Sequence, residues 1–216
     1  MKYASDGTPV RRPTTGWSVS MGWHDLLFMH LPIDIERFLS LIPEGSELDL
    51  FEDQAWIGVI PFHMSGIRHR LCPPIPTISA FPELNVRTYL KARGQAPGVW
   101  FCSLDAAHRL AVRTARRTSH LPYFDAEMFV HNQNGDKSHR SHRTHRSTAA
   151  AQFEAVYYPV GDRLTTDPGS LEHWLTARYC LYSQDRRGCI RRGDIDHDPW
   201  QLRRGCAEVT RNTMTE

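Results

Sequence analysis

Lysine is nearly missing from this 216-residue chain: only Lys2, Lys91 and Lys137 occur, against a total of 26 Lys plus Arg. Chemistry that needs a deprotonated amine as nucleophile has only those three to draw on. A surplus of one charge sign is missing too. The 26 basic side chains face 24 Asp plus Glu, so no global field draws the chain to nucleic acid or to an anionic membrane. No run reaches the ~20 consecutive apolar residues of a membrane-spanning helix, and the N-terminus has no secretory pattern. The five cysteines, Cys72, Cys102, Cys180, Cys189 and Cys206, are odd in number and have no C-x-x-C spacing. Together these absences read as a soluble, cytoplasmic chain with reduced thiols.

What is present is apolar matter. With 40% hydrophobic and 10% aromatic residues, the chain can bury a substantial core without disulfides or structural metal. Residues 1–16 are poor in apolar side chains and rich in Ser, Gly, Pro, Thr and Arg, as a disordered N-terminal extension is. Residues 17–216 then form a single β-rich domain. Asp34 caps a short helix carrying Ile35, Phe38 and Leu39, ended by Pro43 and Gly45. Leu48 and Leu50, then Trp56 to Phe62, flank the polar turn at Glu52 and Asp53 as two strands of a hairpin would. Residues 67–76, with three prolines, read as an extended surface loop.

Strands follow at Phe81 to Leu90, Val99 to Leu104, Tyr123 to Val130 and Gln152 to Val160. Asp105 is placed to cap one helix, with Arg109, Arg113, Arg116 and Arg117 toward water, and Ser170 a second. His131 to Ser147 is polar throughout, with His139, Arg140, His142, Arg143, His145 and Arg146, and reads as a flexible His/Arg-rich hairpin loop in solvent. Residues 186–194 have a similar composition and read as a connecting loop.

The stretch Phe81 to Leu90 carries the most chemical information. Period-two alternation puts Glu83, Asn85, Arg87 and Tyr89 on one face and Leu84, Val86, Thr88 and Leu90 on the other. Such a polar face either meets water or lines a cavity. Inside a cavity, Arg87 would hold a carboxylate by a bidentate contact and Glu83, its pKa shifted by burial, would move a proton. Lys91, beside Arg93 at the strand end, is more typical of solvent than of a nucleophile. His24, His30 and His63 lie in apolar contexts without a carboxylate partner spacing, and His139, His142 and His145 lie among flexible polar residues, so no metal site is read. Cys102 reads as a small buried hydrophobe. The arginine-rich loops lack interleaved aromatic residues, which argues against a specific nucleic-acid partner.

Six motifs resemble, in order and over nearly the whole chain, those of the YqjF-like uncharacterised family (domain of unknown function 2071) in the acetoacetate-decarboxylase-like superfamily. They are Trp23 to His30, Trp56 to Phe62, Phe81 to Tyr89, Gly98 to Asp105, Leu121 to Tyr123, and Pro199 with Trp200. The resemblance implies a mostly β (α+β) fold, an antiparallel acetoacetate-decarboxylase-like β barrel with a few peripheral helices. Acetoacetate decarboxylase forms a Schiff base between an internal lysine and its keto acid. Where that pattern places the lysine, this chain has Leu121, Pro122, Tyr123 and Phe124, which weighs against decarboxylation.

The resulting expectation is a barrel cavity holding a small organic carboxylate or carbonyl compound. Glu83 and Arg87 are its candidate catalytic residues, and Arg87, Asn85, Tyr89, Tyr123 and His63 its candidate ligand-binding residues. No cofactor, membrane or specific nucleic acid is called for. Lyase or proton-transfer activity and a non-catalytic ligand- or partner-binding barrel both stay open, as does a homo-oligomer. Relatives are expected to continue past Thr210 to Glu216, which would leave a strand edge to be covered.

Overall fold

The computed structural model describes residues 16–75 and 79–216. The extension expected over residues 1–16 lies, apart from Gly16, outside them, as do Lys2 and Pro76. In chain order the elements are β1 (Val19–His24), β2 (Met29–Ile33), α1 (Ile35–Leu39), β3 (Ser46–Leu48), β4 (Ala55–His69), β5 (Phe81–Ala92), β6 (Gly98–Ala106) and α2 (Arg109–Thr118). They continue with β7 (Tyr123–Gln133), β8 (Asp136–Arg143), β9 (Gln152–Arg163), α3 (Leu171–Thr176), β10 (Cys180–Gln184), β11 (Ile190–Asp194) and β12 (Arg203–Asn212). The long strands follow the β-branched and aromatic runs of the sequence. The caps follow its short polar residues: the Asp34 side chain accepts from the Glu36 N–H and the Ser170 side chain from the His173 N–H. No helix among the described residues is long and apolar enough to cross a membrane.

Twelve strands form one sheet in the order β1-β4-β5-β6-β7-β8-β9-β12, with β2 beside β4, β3 beside β5, and β10 carrying β11 off β6. It is not the closed antiparallel barrel expected. Among the described residues β1 and β12 do not pair, so both edges stay open. Two pairings, β6 with β7 and β6 with β10, are parallel. For β7 the reason lies in the connection: α2 crosses over from β6 and returns the chain in the same direction, whereas β10 comes back to β6 only after β7, β8, β9 and α3. The sheet instead folds over on itself. Ile57, Val59, Leu84 and Val86 of β4 and β5 pack against Phe153, Ala155 and Tyr157 of β9 without a hydrogen-bonded seam.

Several local expectations change. Ser46–Leu48 pairs with β5 rather than forming a hairpin with β4. α2 is capped by His108, whose Nδ1 accepts from the Ala111 N–H, because Asp105 is drawn away into a buried ion pair. The segment 131–147, expected as a flexible loop, contains the end of β7 and all of β8. Asn134 and Gly135 turn the hairpin with φ of 55° and 96°, a pairing suited to a type I′ turn. The inward positions of β8 are His139, Ser141 and Arg143, so the alternation is present but not written in apolar residues. His139 is buried, its ring edge-on to Phe153 at 6.2 Å, and burial lowers its pKa to about 4. The 186–194 segment likewise contains β11.

Candidate functional site

The registers place the polar face. In antiparallel pairs, residues directly opposite share a face. Phe62, Glu83 and Ala106 form one row across β4, β5 and β6; Ile60, Asn85 and Leu104 form the next; Gly58, Arg87 and Phe101 the third. His30 of β2 extends the third row, being opposite Gly58. Tyr123 of β7 joins through Leu104. The face is covered, not solvated: Glu83 is 2% and Arg87 7% exposed, and Asn85 and Tyr89 are buried with them. His63 is not part of it. It stands opposite Pro82 and alternates with Phe62, so it points from the other face of β4.

Glu83 and Arg87 do not form an ion pair. The Tyr123 hydroxyl hydrogen-bonds the Glu83 carboxyl. Burial raises the Glu83 pKa to about 8, with the nearby Asp105 charge adding to the rise and the Tyr123 bond opposing it. Its Oε2, Asn85 Oδ1 and Arg87 Nε are buried without a protein partner. Three unpartnered polar groups at alternate positions of one strand are unusual, since nearly all buried polar atoms are hydrogen-bonded.

Arg87 is bounded by rings. Its guanidinium lies 5.5 Å from the Phe28 ring and 5.7 Å from that of Tyr89. Trp200 meets Phe28 edge-on at 5.6 Å and stacks on Trp23 at 5.7 Å, which explains how the distant Pro199 and Trp200 motif belongs to this site. Tyr89 does not present a free hydroxyl. It donates to the Leu175 carbonyl at 3.0 Å and lies 2.7 Å from His30 Nε2, so the imidazole is the donor there. Burial first, and Arg87 second, lower the His30 pKa to about 3 and keep it neutral.

His30, Arg178, Trp174 and Phe28 complete the environment, and the last three carry no signal in the sequence that marks them as site residues. Arg178 is buried between Tyr89 and Trp174, 4.5 and 4.2 Å from their rings, and bonds Asp49 at 2.5 Å. Lys91 reaches the same carboxylate at 2.7 Å and is 41% exposed, an anchor rather than a desolvated amine. Arg178 and Lys91 therefore share one carboxylate, Asp49, and Arg87 is near enough to Arg178 to depress its pKa. Cys102 is packed against the core, and burial pushes its thiol pKa up to about 12. Among the described residues no three His, Cys, Asp or Glu side chains converge as a metal site.

Gly58 makes this arrangement possible. A Cβ there would lie 2.8 Å from His30 Nε2, where no Cβ fits without a shift. Gly58→Ala is expected to displace the imidazole from Tyr89 and cost about 1–3 kcal/mol, the range for overpacking a filled interior. Thermal unfolding would check it: a midpoint equal to wild type would mean that His30 moves freely.

The fold has solved counterparts. An acetoacetate decarboxylase from Legionella pneumophila superposes with a TM-score of 0.59 at 9% identity, over 99% of this chain and 84% of that one. The enduracididine biosynthesis enzyme MppR in complex with pyruvate gives 0.59 at 10% identity, over 93% and 80%. An acetoacetate decarboxylase-like enzyme from Sphingomonas wittichii RW1 gives 0.54 at 14%, over 82% and 70%. At such identities the likeness is one of fold. In sequence, the uncharacterized protein YqjF of Bacillus subtilis (strain 168) is 44% identical over 200 residues, 93% of this chain and 81% of that protein. Together with the match of residues 20–216 to the model of the uncharacterized conserved proteins grouped as domain of unknown function 2071, this shows that the chain belongs to that YqjF family, with an acetoacetate-decarboxylase-like fold.

Proposed function

We propose that the β5 face binds a small organic carboxylate or carbonyl compound, with Arg87 as anchor and Glu83 as proton carrier. The observation that carries this reading is the unpartnered, buried set of Arg87 Nε, Asn85 Oδ1 and Glu83 Oε2. A bound carboxylate would satisfy the guanidinium, and it would balance the excess of cations over Asp49. Arginine suits the task because its planar fork matches two carboxylate oxygens. Glu83, with a pKa near 8, holds its proton at neutral pH and so can donate to a developing alkoxide or enolate. That MppR, a fold neighbour, is complexed with pyruvate supports a small keto acid as the first compound to try.

Schiff-base decarboxylation is disfavoured by the residues. The superfamily resemblance implies Leu121 to Phe124 where that pattern has its lysine, and Lys91 is held by Asp49. Enolisation needs no amine: Glu83 would give its proton to the carbonyl oxygen, and the carboxylate so formed would take the proton from the neighbouring carbon, while Arg87 holds the substrate.

The test is thermal unfolding with pyruvate and other small carboxylates. A binder must raise the midpoint. Wild type is expected to be stabilised and Arg87→Ala not, since removing a charge-assisted bidentate contact costs tenfold or more in affinity. Glu83→Gln is expected to keep binding and lose turnover. Equal stabilisation of wild type and Arg87→Ala would remove Arg87 from the site. Binding without turnover of any bound keto acid would leave a non-catalytic carrier.

A further inference from the structure

Away from the Arg87 face, two clefts share a wall. One, about 440 Å³, is lined by Arg113, Arg116 and Arg117 of α2 and by Arg186 in the turn between β10 and β11. The other, about 320 Å³, is lined by Leu41, Trp100, Phe101, Cys102 and Tyr182. His120, Pro122 and Gln184 border both. The clefts have a topological cause. β10 pairs with Val99 and Trp100 of β6, while β7 pairs with Leu104 to Ala106. Residues 101–103 thus fall between two strands that part from the same edge of β6. Crevices of this kind, where neighbouring connections diverge, are where open sheets take ligands.

We propose that the joined clefts bind an aromatic phosphate, its phosphate among the arginines and its ring between Trp100, Tyr182 and Leu41. Two observations support it. First, the arginines are uncompensated. The one acid lining that cleft, Asp185, spends Oδ1 on the backbone N–H groups of Arg187 and Cys189, and Oδ2 on Arg191. Among the described residues Arg113, Arg117 and Arg186 have no carboxylate partner, while Arg116 donates to the Tyr123 carbonyl. Cations in the last turn of α2 complement its dipole, but that does not account for Arg113, or for Arg186 arriving from another element. Second, guanidinium groups converging from two elements suit the several acceptor oxygens of a phosphate. His120, at the border of both clefts, has a φ of 55° because it follows the Ser119 cap and ends α2 in the usual left-handed helix stop.

This site shares no residue with the proposed carboxylate site except that Phe101 is the cross-strand neighbour of Arg87. The two readings therefore fail separately. Titration calorimetry with 1-naphthyl phosphate, inorganic phosphate and a thymidine decamer tests it. Naphthyl phosphate is expected to bind at least tenfold more tightly than inorganic phosphate. Replacing Arg113, Arg117 and Arg186 together by alanine, all exposed positions, is expected to weaken it at least tenfold. Leu41→Asp, also at an exposed position, is expected to erase the preference for the aryl ester and leave inorganic phosphate unaffected. Arg87→Ala should change none of this. Equal affinity for the two phosphates, indifference to the triple replacement, or salt-sensitive binding of the oligonucleotide alone would overturn the proposal.

Discussion

Asp49→Ala is expected to destabilise the protein by about 3–5 kcal/mol, the usual cost of removing one partner from a buried ion pair. For a chain of this size that lowers the unfolding midpoint by on the order of 10 °C. Asp49 is 3% exposed and Arg178 5%, and their contact at 2.5 Å is shielded from water. Burial pushes the Arg178 pKa down, and the nearby Arg87 pushes the same way, while the Asp49 charge is the largest influence holding it up. Without Asp49 the guanidinium would keep its bond to the Trp174 carbonyl and its place between two rings, but no anion. Lys91, at the rim, would turn to solvent at little cost. Arg178 cannot, because the chain around it is packed.

The same substitution speaks to function. Arg87 and Arg178 both depress the His30 pKa, so the cations share one electrostatic region. With Asp49 gone, an anionic ligand would become their main counter-charge. A carboxylate that stabilises wild type is therefore expected to stabilise Asp49→Ala more, in degrees of midpoint at equal concentration. Asp49→Ala melting within about 2 °C of wild type would mean that Arg178 finds water or another acceptor. The double variant Asp49→Ala, Arg178→Met is expected to recover much of the loss, since a buried pair replaced by apolar side chains is often neutral.

How much of this was legible in the sequence depends on which signals are local. The polar face of β5 was, because strand alternation alone puts Glu83, Asn85, Arg87 and Tyr89 on one side, and the strand's apolar positions mark it as central. That this face is buried was not, since charged residues on one face of a strand are more often solvated. The cover comes from Phe28, Trp174 and Trp200, which arrive from the residue before β2, from α3 and from a segment before β12. β8 was missed for a related reason: its inward positions are His139, Ser141 and Arg143, so a search for apolar alternation passes over it. Arg143 is there because Asp105, fully buried on β6, requires a bidentate partner at 2.7–3.0 Å. Asp105 looked like a helix cap because it precedes α2 in sequence, and the competing long-range pair left no local trace. Openness of the sheet was equally hidden, since it turns on whether β1 meets β12. His63 was misplaced on the site by its apolar neighbours, although strict alternation from Phe62 puts it on the opposite face.

Glu83→Gln is expected to make the protein more stable than wild type, by an amount that depends on pH in a specified way. The Glu83 pKa is about 8 in the folded protein, against an ordinary value near 4.5 in the unfolded chain. Between those values the native state holds a proton that the unfolded state has released. Stability therefore falls as pH rises through that window, by up to about 1.4 kcal/mol per pH unit, and levels off above it. His30 and His139, lowered to about 3 and about 4, act in the opposite sense. The unfolded chain binds protons at these histidines below pH 6.5 that the folded one does not, so their share of stability is lost as pH falls. Below about 6.5 the two trends oppose each other; between 6.5 and 8 the loss due to Glu83 stands alone among the three. Urea unfolding at half-unit steps of pH should then show wild type weakening from 6.5 to 8 while Glu83→Gln stays level. The gap between them should be a few kcal/mol at pH 8 and vanish near pH 4.5. Glutamine keeps an oxygen to accept from Tyr123, so the comparison removes the titration and little else. Parallel curves would mean that water reaches the carboxyl and that its proton is not held. In that case Glu83 would not donate a proton at neutral pH, and the anchor Arg87 would be left with a binding role alone.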